Sequence, residues 1–495
     1  MREKNLASTD KRYNVYSYTF HSPSTHLPQL DILIVGGGFS GAMLAVHLLH
    51  QSSSLSVAVI DRGALPGRGL AYSSPHKFHL LNVPAGEMSA FPDVPDDFLR
   101  WARIHFDAGM RERSFPPRAV YGAYVGDLFE KARLEAGGER LQWMQDRALS
   151  LVHSEGGLTV QTEYGSEILA RVVVLATGNF PPANPRVPGL DLHRRAYFQF
   201  PWSPEALEEI PSTSSILLLG SGLTSLDFIM ALKSKGFRGI IHVLSRKGLF
   251  PHARRQVRPV EPWPVFWNEQ SPRTVRGLLR LIRSQVQAAA QTRVDWRAVI
   301  DSLRPVTQAI WQSLPIQEQR RFLRHARAFW DVHRHRVAPE IADLLADMRA
   351  EGQVRLHTGV LTRYSNCHDG AEIEYWDRES QSEKTLRVAR VINCTGSETE
   401  IRRIDDSLIT SLFVQGLARP DPLFLGLDVD ENGRIIDYKG TASPWLYAIG
   451  PPRKGSLWET TTVCEIRQQV VEIAQSLAQQ LEGRGGRSRN FKTAV

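Results

Sequence analysis

Three glycines near the start of the chain have the spacing of a phosphate-binding turn. Gly36, Gly38 and Gly41 form a G-x-G-x-x-G pattern directly after an apolar run at residues 32–35. The first glycine permits a tight turn, the second lets a pyrophosphate approach the backbone, and the third lets helix and strand pack closely. The phosphates would lie at the positive helix N-terminus, and Asp61 would accept hydrogen bonds from a ribose. The stretch predicts a dinucleotide site; the simpler alternative is a glycine-rich turn.

The pattern recurs later in the chain with one change at each end. An apolar run leads into Gly220 and Gly222, and Ser225 replaces the third glycine with a small side chain that still allows close packing. The next apolar run ends in Ser245 and Arg246 instead of an acid. A serine and an arginine there suit a ribose 2′-phosphate, which favours NADP over NAD. Two such units in one chain are a stronger signal than one.

Each turn requires a strand before it and a helix after it, so the chain is predicted to have an α/β fold with two dinucleotide-binding, Rossmann-like domains. A proline-rich linker at residues 179–189 separates them, and amphipathic, Arg-rich stretches predict a helical insertion in the second. The predicted organisation is a flexible tail at 1–29, the first domain at 30–200 and again at 366–482, the second domain at 211–365 with its insertion at about 250–345, and a flexible tail at 483–495.

Composition and cysteine usage exclude several classes of protein. Of the 495 residues, 42% are hydrophobic and 23% are charged, which is ordinary globular composition. No apolar run approaches the roughly 18 residues that a membrane span needs, and the polar N-terminus lacks the apolar region of a signal peptide. Cys367, Cys394 and Cys464 contain no C-x-x-C pair, so a disulfide reductase and a cysteine-rich metal site both lack their ligands. We expect no metal, no membrane and a cytoplasmic location.

The order of motifs resembles two-dinucleotide flavoproteins. GGGFSG is followed by ATG before the proline-rich linker, then by GSGLTS, a second CTG and a terminal YAIG strand. The closer resemblance is to bacterial FAD/NAD(P)-binding proteins related to flavin-dependent N-hydroxylating monooxygenases. It is carried by GRGLAYS (67–73), LLNVPAGEMS (80–89), FWDVHRHRVAPE (329–340) and WETTTVCEIR (458–467), and it covers roughly residues 30–480.

This resemblance implies FAD in the first site and NADPH in the second. Asn82 is a candidate polar contact to the flavin ring, although a turn-forming asparagine is an equally good interpretation. The implied FAD residues are Gly36, Gly38, Ser40, Gly41, Asp61, Asn82, Thr177, Gly178, Gly450, Trp458, Glu459 and Thr460. The implied NADPH residues are Gly220, Gly222, Thr224, Ser225, Ser245 and Arg246.

The chain departs from the pattern of these proteins at two positions. Cys464 stands where proline is expected, which places a thiol at a helix start; we interpret it as a buried, inert cysteine. Pro451 stands where flavin reductases often have an aspartate that contacts the ribityl chain. Backbone amides at the start of the last helix would have to make that contact instead.

Two cofactors imply hydride transfer from NADPH to the flavin. Without a redox-active cysteine pair, oxygen is the expected electron acceptor, and the resemblance points to a monooxygenase acting on a nitrogen or sulfur of a small, carboxylate-bearing molecule. The candidate substrate-orienting residues are His333, Arg334, His335 and Arg336. The alternative is a solvated helix face whose arginines pair with Asp331 and Glu340. Arg254, Arg255 and Arg258 are further candidates for contacts to the NADPH phosphates.

The basic character of the chain is confined to one segment. Residues 246–345 contain 18 Lys and Arg against 8 Asp and Glu, an excess of +10, so the remainder of a chain of net charge +8 is close to −2. Such a segment could bind nucleic acid, but it lacks the aromatic-plus-glycine pattern of the common RNA modules, so we consider nucleic acid unlikely. A flavoprotein oxidase or reductase, or a nucleotide-binding redox sensor without turnover, remains open, as does the oligomeric state.

Overall fold

The structure is a computed structural model that describes residues 29–74, 76–192, 196–255 and 262–488, with side chains described to residue 483. The strands are β1 (Leu30–Val35), β2 (Val57–Asp61), β3 (Leu141–Gln145), β4 (Ala148–Ser154), β5 (Gly157–Thr162), β6 (Glu167–Leu175), β7 (Tyr197–Phe198), β8 (Ile216–Leu219), β9 (Ile241–Ser245), β10 (Val354–Cys367), β11 (Gly370–Asp377), β12 (Ser382–Val388), β13 (Arg390–Asn393), β14 (Arg434–Ile436) and β15 (Ala442–Ala448).

The helices are α1 (Phe39–Gln51), α2 (Gly69–Tyr72), α3 (Asp97–His105), α4 (Arg118–Glu135), α5 (Leu223–Ser234), α6 (Val275–Gln291), α7 (Trp296–Ser302), α8 (Thr307–Ser313), α9 (Ile316–Arg321), α10 (Arg327–Arg334), α11 (Pro339–Ala350), α12 (Ser407–Val414) and α13 (Val463–Ser488). None of the helices within the described ranges has the length and apolar character needed to cross a bilayer.

The first sheet has the order β14-β15-β6-β1-β2-β3. Strand β5 pairs with β6 and also with β4. Strands β15, β6, β1, β2 and β3 are parallel to one another. The apolar runs in β1 and β6 are explained by cores on both faces: α1, α4 and α13 cover one face, and β4, β5 and α12 cover the other. The first glycine turn leaves β1 at its carboxyl end, the usual position of ligand sites in open α/β sheets.

The second sheet has the order β12-β11-β10-β9-β8-β13-β7, with β8, β9, β13 and β7 parallel. Helices α5 and α11 contribute to the core on one of its faces. The second glycine turn leaves β8 as the first leaves β1. The predicted α/β class with two Rossmann-like units is therefore confirmed.

The predicted domain boundaries differ from the sheets in two places. Strands β11, β12 and β13 lie in the second sheet, so that unit extends to about residue 393, and the predicted return to the first domain at 366 is wrong. Strand β7, placed by sequence in the first domain, also pairs with β13 in the second sheet. The reason is that β13 inserts between β8 and β7, and pairing between distant strands leaves no local sequence signal. The chain returns to the first sheet through β14, β15 and α13.

The Arg-rich insertion is helical, as predicted. It contains α6 to α10, and a π-helical turn at Phe322–Ala326 separates α9 from α10. The predicted N-terminal tail at 1–29 lies outside the described residues except for Gln29. Of the predicted C-terminal tail at 483–495, residues 483–488 continue α13, and the rest lies outside the described residues.

Candidate dinucleotide-binding sites

The first glycine turn is packed so tightly that two of its glycines are required by the protein itself. Gly36 has φ +107°, and a Cβ there would lie 2.3 Å from the carbonyl oxygen of Ala176, at the end of β6. A Cβ on Gly41 would lie 1.9 Å from the carbonyl oxygen of Gly36. These contacts fold the turn against the neighbouring strand and set α1 at its edge.

Gly38 differs from its neighbours because no protein atom crowds it. Its backbone is extended, with φ −68° and ψ −168°, and the nearest atom to an added Cβ is the Cα of Gly69 at 3.5 Å. The residue precedes α1, whose first turn contains no acidic side chain. Open space in front of a helix N-terminus fits a pyrophosphate, so the turn can hold the diphosphate of FAD.

The carboxylate of Asp61 has a structural role beside its predicted contact with a ribose. Its Oδ2 accepts a hydrogen bond from the Gly37 amide at 2.7 Å, and its Oδ1 accepts one from the Gly63 amide at 2.6 Å. Each carboxylate oxygen has a second lone pair, so a ribose hydroxyl can still donate to it. Asp61 therefore holds the turn in shape, and its contact with the ribose stays a prediction.

The Thr177–Gly178 turn lies beside the first glycine turn and has a free polar group. Thr177 Oγ1 is buried without a hydrogen-bond partner among the described residues. Gly178 has φ +70°, and an added Cβ would have no neighbour within 4 Å. Buried hydroxyls normally have partners, so this orphaned group fits a cofactor that supplies one. Asn82 is half-buried, and its contact with the flavin stays a prediction.

The C-terminal segment divides between two locations. Gly450, with φ +75°, approaches Ser40 of the first turn: a Cβ there would lie 3.0 Å from Ser40 Oγ. Thr460 Oγ1 donates to the Gly450 carbonyl at 3.1 Å, and Gln469 Oε1 accepts from the Gly450 amide at 3.1 Å. Thr460 thus braces Gly450, together with Gln469, which the sequence did not single out. Trp458 lies away from Gly450, in the wall of the cavity beside the second glycine turn.

The second glycine turn repeats this geometry. Gly220 has φ +100°, and a Cβ there would lie 2.5 Å from the carbonyl oxygen of Cys394, at the end of β13. Ser225 Oγ donates to the Gly222 carbonyl at 2.8 Å, which shows how serine replaces the third glycine. A Cβ on Gly222 would have no neighbour within 4 Å. The second turn is therefore as open to a diphosphate as the first.

Most of the predicted NADPH residues line one cavity of about 730 Å³. Its walls include Gly220, Gly222, Thr224, Ser245 and Arg246. Ser225 does not line this cavity but is buried beneath the turn. The structure thus brings the NADPH candidates together at the carboxyl end of the second sheet.

Two further residues of this cavity were missed by sequence reasoning. Thr395 and Gly396 line it, and they follow β13 as Thr177 and Gly178 follow β6. The signal was the repeat of ATG as CTG, which reflects the same contact of a strand end with a glycine turn in both domains.

The two residues predicted to select NADPH, Ser245 and Arg246, offer a neutral hydroxyl and a charged guanidinium group. Ser245 Oγ accepts a hydrogen bond from Ser221 Oγ at 2.8 Å, and its own hydroxyl can still donate to a phosphate oxygen. Arg246 is exposed at the cavity and has no ion-pair partner among the described residues. Arg246 is therefore a charged group available for a 2′-phosphate, and Ser245 can add a hydrogen bond.

A charged cluster forms the far wall of the same cavity. Glu459, buried and with an unusual φ of +68°, accepts a hydrogen bond from Trp330 Nε1 at 2.6 Å. Its Oε2 lies 3.2 Å from His335 Nε2 and 4.0 Å from Arg334 Nε. Although burial opposes ionisation, His335 and Arg334 hold the pKa of the Glu459 carboxyl well below its usual range. Glu459, predicted as an FAD residue, is thus an anion of the NADPH cavity.

Two more titratable groups of this wall are shifted towards their neutral forms. Burial lowers the pKa of the Lys454 ammonium to about 8 and raises the pKa of the Asp331 carboxyl. Both line the cavity beside His335, and Arg327 lies between them as the ion-pair partner of Asp331 at 3.4 Å. The wall therefore combines cations, an acid and a histidine within one partly dehydrated space.

The four predicted substrate-orienting residues do not face one site, so that prediction requires correction. Arg334 is buried and pairs with Glu465 at 2.9 Å, and Arg336 is buried and pairs with Asp301. His335 faces the NADPH cavity, whereas His333 faces another cavity in the insertion. The alternative of a solvated face is also wrong, because these arginines pair with neither Asp331 nor Glu340. Helix α10 ends at Arg334, and the side chains around its end point in different directions.

Replacing Arg334 with alanine is expected to destabilise the protein. The substitution would leave Glu465 and the buried Glu459 short of a counter-charge; the Arg334 and Glu459 side chains are only 3% and 2% exposed. Breaking a buried ion pair by removing one partner costs about 3–5 kcal/mol. The measurement is the urea midpoint of the FAD-loaded protein. Arg327→Ala, which breaks a more exposed pair, is the control and should cost about 1 kcal/mol or less. Unchanged stability in Arg334→Ala would restore the substrate-orienting interpretation.

A second polar cluster joins the insertion to the first domain. Glu87 pairs with Arg254 at 3.3 Å and with Arg304 at 3.0 Å. Cys464 Sγ lies 3.5 Å from the Glu87 carbonyl oxygen, and burial raises the pKa of its thiol, so it is protonated at neutral pH. Arg254, a candidate for phosphate contacts, is thus engaged elsewhere, and Arg258 lies outside the described residues. The cluster ties the LLNVPAGEMS loop to the helical insertion.

Comparison with known proteins agrees with this geometry. Residues 33–180 match a family model described as FAD-NAD(P)-binding. The chain is 25% identical to the uncharacterized protein YdhS of Escherichia coli (strain K12) over 316 residues, which is 55% of this chain and 57% of YdhS, less than two thirds of that relative's length.

Two similar solved structures extend over nearly the whole chain. One is the ornithine N-hydroxylase of Kutzneria sp. 744, with a TM-score of 0.63, 15% identity, and coverage of 92% of this chain and 100% of that one. The other is the cadaverine monooxygenase DfoA of Erwinia amylovora bound to FAD, with a TM-score of 0.63, 15% identity, and coverage of 91% and 95%. The fold predicted from the resemblance is confirmed, and the family model supports the binding of FAD and NAD(P). The choice of NADPH over NADH stays a prediction.

Proposed function

We propose that this chain is an NADPH-consuming FAD enzyme that uses O2 to oxidise a nitrogen or sulfur of a small molecule. The observation that carries the proposal is the pair of equivalent, open glycine turns, Gly38 and Gly222, at the carboxyl ends of two sheets in one chain. When bound, FAD takes a hydride from NADPH and passes the electrons to an acceptor. We infer that the acceptor is oxygen, because the three cysteines are free and do not form a redox-active pair.

The residues of the chain supply binding and proton handling. Arg246 is proposed to bind the 2′-phosphate. Thr395 and Gly396 are proposed to contact the coenzyme from the opposite side of the cavity. His335, whose Nε2 lies 3.2 Å from Glu459 Oε2, is proposed to hold a proton at this wall of the cavity. The aromatic wall at Trp458 would limit the access of water to this end of the cavity.

The substrate is proposed to be a small amine or sulfur compound carrying a carboxylate. Similarity of fold to an ornithine N-hydroxylase and a cadaverine monooxygenase supports an amine, without identifying it. Arg334 and Arg336 are buried in ion pairs and do not line the cavity. We propose that Lys454 and Arg327, which line it together with His335, bind the carboxylate; Arg327 also pairs with Asp331. This assignment replaces the four consecutive residues chosen from the sequence.

The experiment is a screen of the FAD-loaded protein with NADPH and labelled O2. Amines, thiols and thioethers, each with and without a carboxylate, would be analysed by mass spectrometry for a gain of one labelled oxygen atom. Incorporation into one class of compound supports the proposal. Hydrogen peroxide as the sole product with every compound would contradict it and leave the oxidase or the redox sensor.

Arg327→Gln should weaken the response to carboxylate-bearing compounds more than to their uncharged analogues.

The coenzyme preference tests Arg246 directly. Loss of a charge-assisted contact costs about 1.5–3 kcal/mol, so Arg246→Ala should raise the NADPH concentration needed for half-maximal flavin reduction roughly tenfold or more. The requirement for NADH should barely change. Anaerobic stopped-flow reduction measures both. Arg238→Ala, an exposed arginine of the same domain away from the cavity, is the control. An equal effect of Arg246→Ala on both coenzymes would place the 2′-phosphate elsewhere.

A further inference from the structure

The helical insertion contains a second, larger cavity of about 1150 Å³, which we call the insertion cavity. It lies among α6, α7, α8 and α10, and most of its walls are apolar. Representative wall residues are Leu278, Ile282, Ile300, Ile310 and Phe329. Its volume lies somewhat above the range of small-molecule sites, about 300–1,000 Å³, and greatly exceeds the voids of a packed core.

The apolar face of α6 is only partly covered by the residues that the structure describes. Leu279 on this helix is 41% exposed, and Phe329 on α10 is 47% exposed, although both line the insertion cavity. Helices of globular domains normally bury such a face against the core. The cavity therefore opens to solvent and presents apolar surface that a ligand can cover.

The charged side chains among the described lining residues of the insertion cavity are all cationic, and one of them, Arg321, is paired with Glu318. Arg276, Arg280 and Arg283 follow one another at helical spacing on α6, and all three line the cavity. None of them forms an ion pair with another residue in the described ranges, and no Asp or Glu is among the cavity's described lining residues. They differ in this from Arg254, Arg304, Arg334 and Arg336, whose charges are neutralised inside the protein. A cationic rim on an apolar cavity is complementary to an anion with an apolar body.

Two buried indole groups of the walls lack acceptors. Trp267 Nε1 and Trp458 Nε1 are buried without a hydrogen-bond partner among the described residues. Trp458 is itself almost fully buried and lines both cavities, its ring 5.0 Å from that of Trp311. Buried donors normally have acceptors, so oxygen atoms of a ligand would satisfy them.

We propose that the insertion cavity binds a small amphiphile with an apolar chain and a carboxylate or similar anionic head. The chain would lie against the leucine, isoleucine and aromatic walls, and the head would lie among Arg276, Arg280 and Arg283. This site is separate from the two dinucleotide turns, so the proposal does not depend on the reaction proposed above. An anionic small molecule would also account for the local excess of positive charge without a role for nucleic acid.

Intrinsic fluorescence provides a direct test, because Trp267, Trp296, Trp311, Trp330 and Trp458 all line the insertion cavity. Dodecanoate would be titrated into the FAD-loaded protein below its micellar concentration, in parallel with dodecanol and dodecyltrimethylammonium. We expect a saturable change with dodecanoate and an affinity at least tenfold higher than that of the cationic amphiphile. Equal affinities for the anion and the cation, or no saturable change with any of the three, would overturn the proposal.

Three variants locate the site. Arg280→Glu should weaken dodecanoate binding at least tenfold while changing dodecanol binding little. Ile282→Trp, which fills the cavity, should weaken the binding of both. Arg273→Glu, just before α6 and outside the cavity, is the matched control and should bind as the wild type does. FAD content and circular dichroism confirm that each variant is folded. Equal losses in Arg273→Glu and Arg280→Glu would show attraction to the surface charge alone.

A vesicle arm distinguishes a free amphiphile from a membrane surface. The same proteins would be sedimented with phosphatidylglycerol vesicles and with phosphatidylcholine vesicles. Saturable binding of monomeric dodecanoate that Ile282→Trp abolishes supports the cavity. Association with anionic vesicles in the absence of monomer binding would contradict it, because the occupant would then be a bilayer and not a ligand.

Discussion

The Gly38→Val protein is expected to fold and to purify without flavin. Gly38 has φ −68° and ψ −168°, an extended backbone that valine adopts without strain, and the nearest atom to an added Cβ is 3.5 Å away. The side chain would instead occupy the path of the FAD diphosphate. Losing two contacts to charged groups at about 1.5 kcal/mol each lowers the affinity for FAD by roughly a hundredfold.

The measurement is the ratio of flavin to protein absorbance after purification, followed by titration of the apoprotein with FAD. Gly37→Ala serves as a contrast, because a Cβ there would lie 2.2 Å from the Trp143 ring and should disturb the fold itself. Wild-type-like flavin content in Gly38→Val would place the diphosphate away from this turn. Circular dichroism separates lost binding from lost folding.

The Gly222→Val protein is expected to be yellow but unresponsive to NADPH. Gly222 has φ −81° and ψ −168°, nearly the backbone of Gly38, and an added Cβ would have no neighbour within 4 Å. FAD binding should therefore be intact, whereas the NADPH diphosphate would meet the valine. By the same estimate as for Gly38, the NADPH concentration required for flavin reduction should rise roughly a hundredfold.

Anaerobic reduction of the flavin measures this effect, and dithionite, which needs no coenzyme site, provides the control. Dithionite should reduce Gly222→Val as fast as the wild type. The two glycine variants are also controls for each other, since each changes one turn in the same way. Loss of FAD from Gly222→Val, or normal NADPH reduction in it, would contradict the assignment of one cofactor to each turn.

The two dinucleotide-binding turns could be predicted from the sequence because the order of strand, turn and helix is local in the chain. A strand, a turn and a helix that follow one another in the chain place Gly41 against the Gly36 carbonyl, so this glycine is explained by local sterics, whereas the contacts of Gly36 with Ala176 and of Gly220 with Cys394 join distant strands. The repeat of ATG as CTG likewise reported a repeated contact between a strand end and a glycine turn. The α/β class, both glycine turns and the helical insertion were therefore all predicted correctly.

Other features depended on residues far apart in the chain. Arg334 pairs with Glu465 across 131 positions, and Arg254 and Arg304 meet Glu87 across 167 and 217 positions. The sequence around each arginine is equally compatible with a solvated face, a substrate site and a buried ion pair. Only the tertiary packing decided between them: the pair with Glu465 at the start of α13 removed Arg334 from the candidate substrate residues, and the pair with Asp301 on α7 removed Arg336.

The sequence by itself determined that this chain has two nucleotide-binding turns, where each lies, and that no cysteine pair is available for electron transfer. The tertiary structure alone decided that β11, β12 and β13 belong to the second sheet, that Glu459 faces the NADPH cavity, and that the insertion contains a cavity lined by arginines without ion pairs among the described residues. The physical reason is the range of the interactions. A turn is specified by the sterics of adjacent residues, whereas a sheet order, a buried ion pair or a cavity exists only when distant segments have packed together.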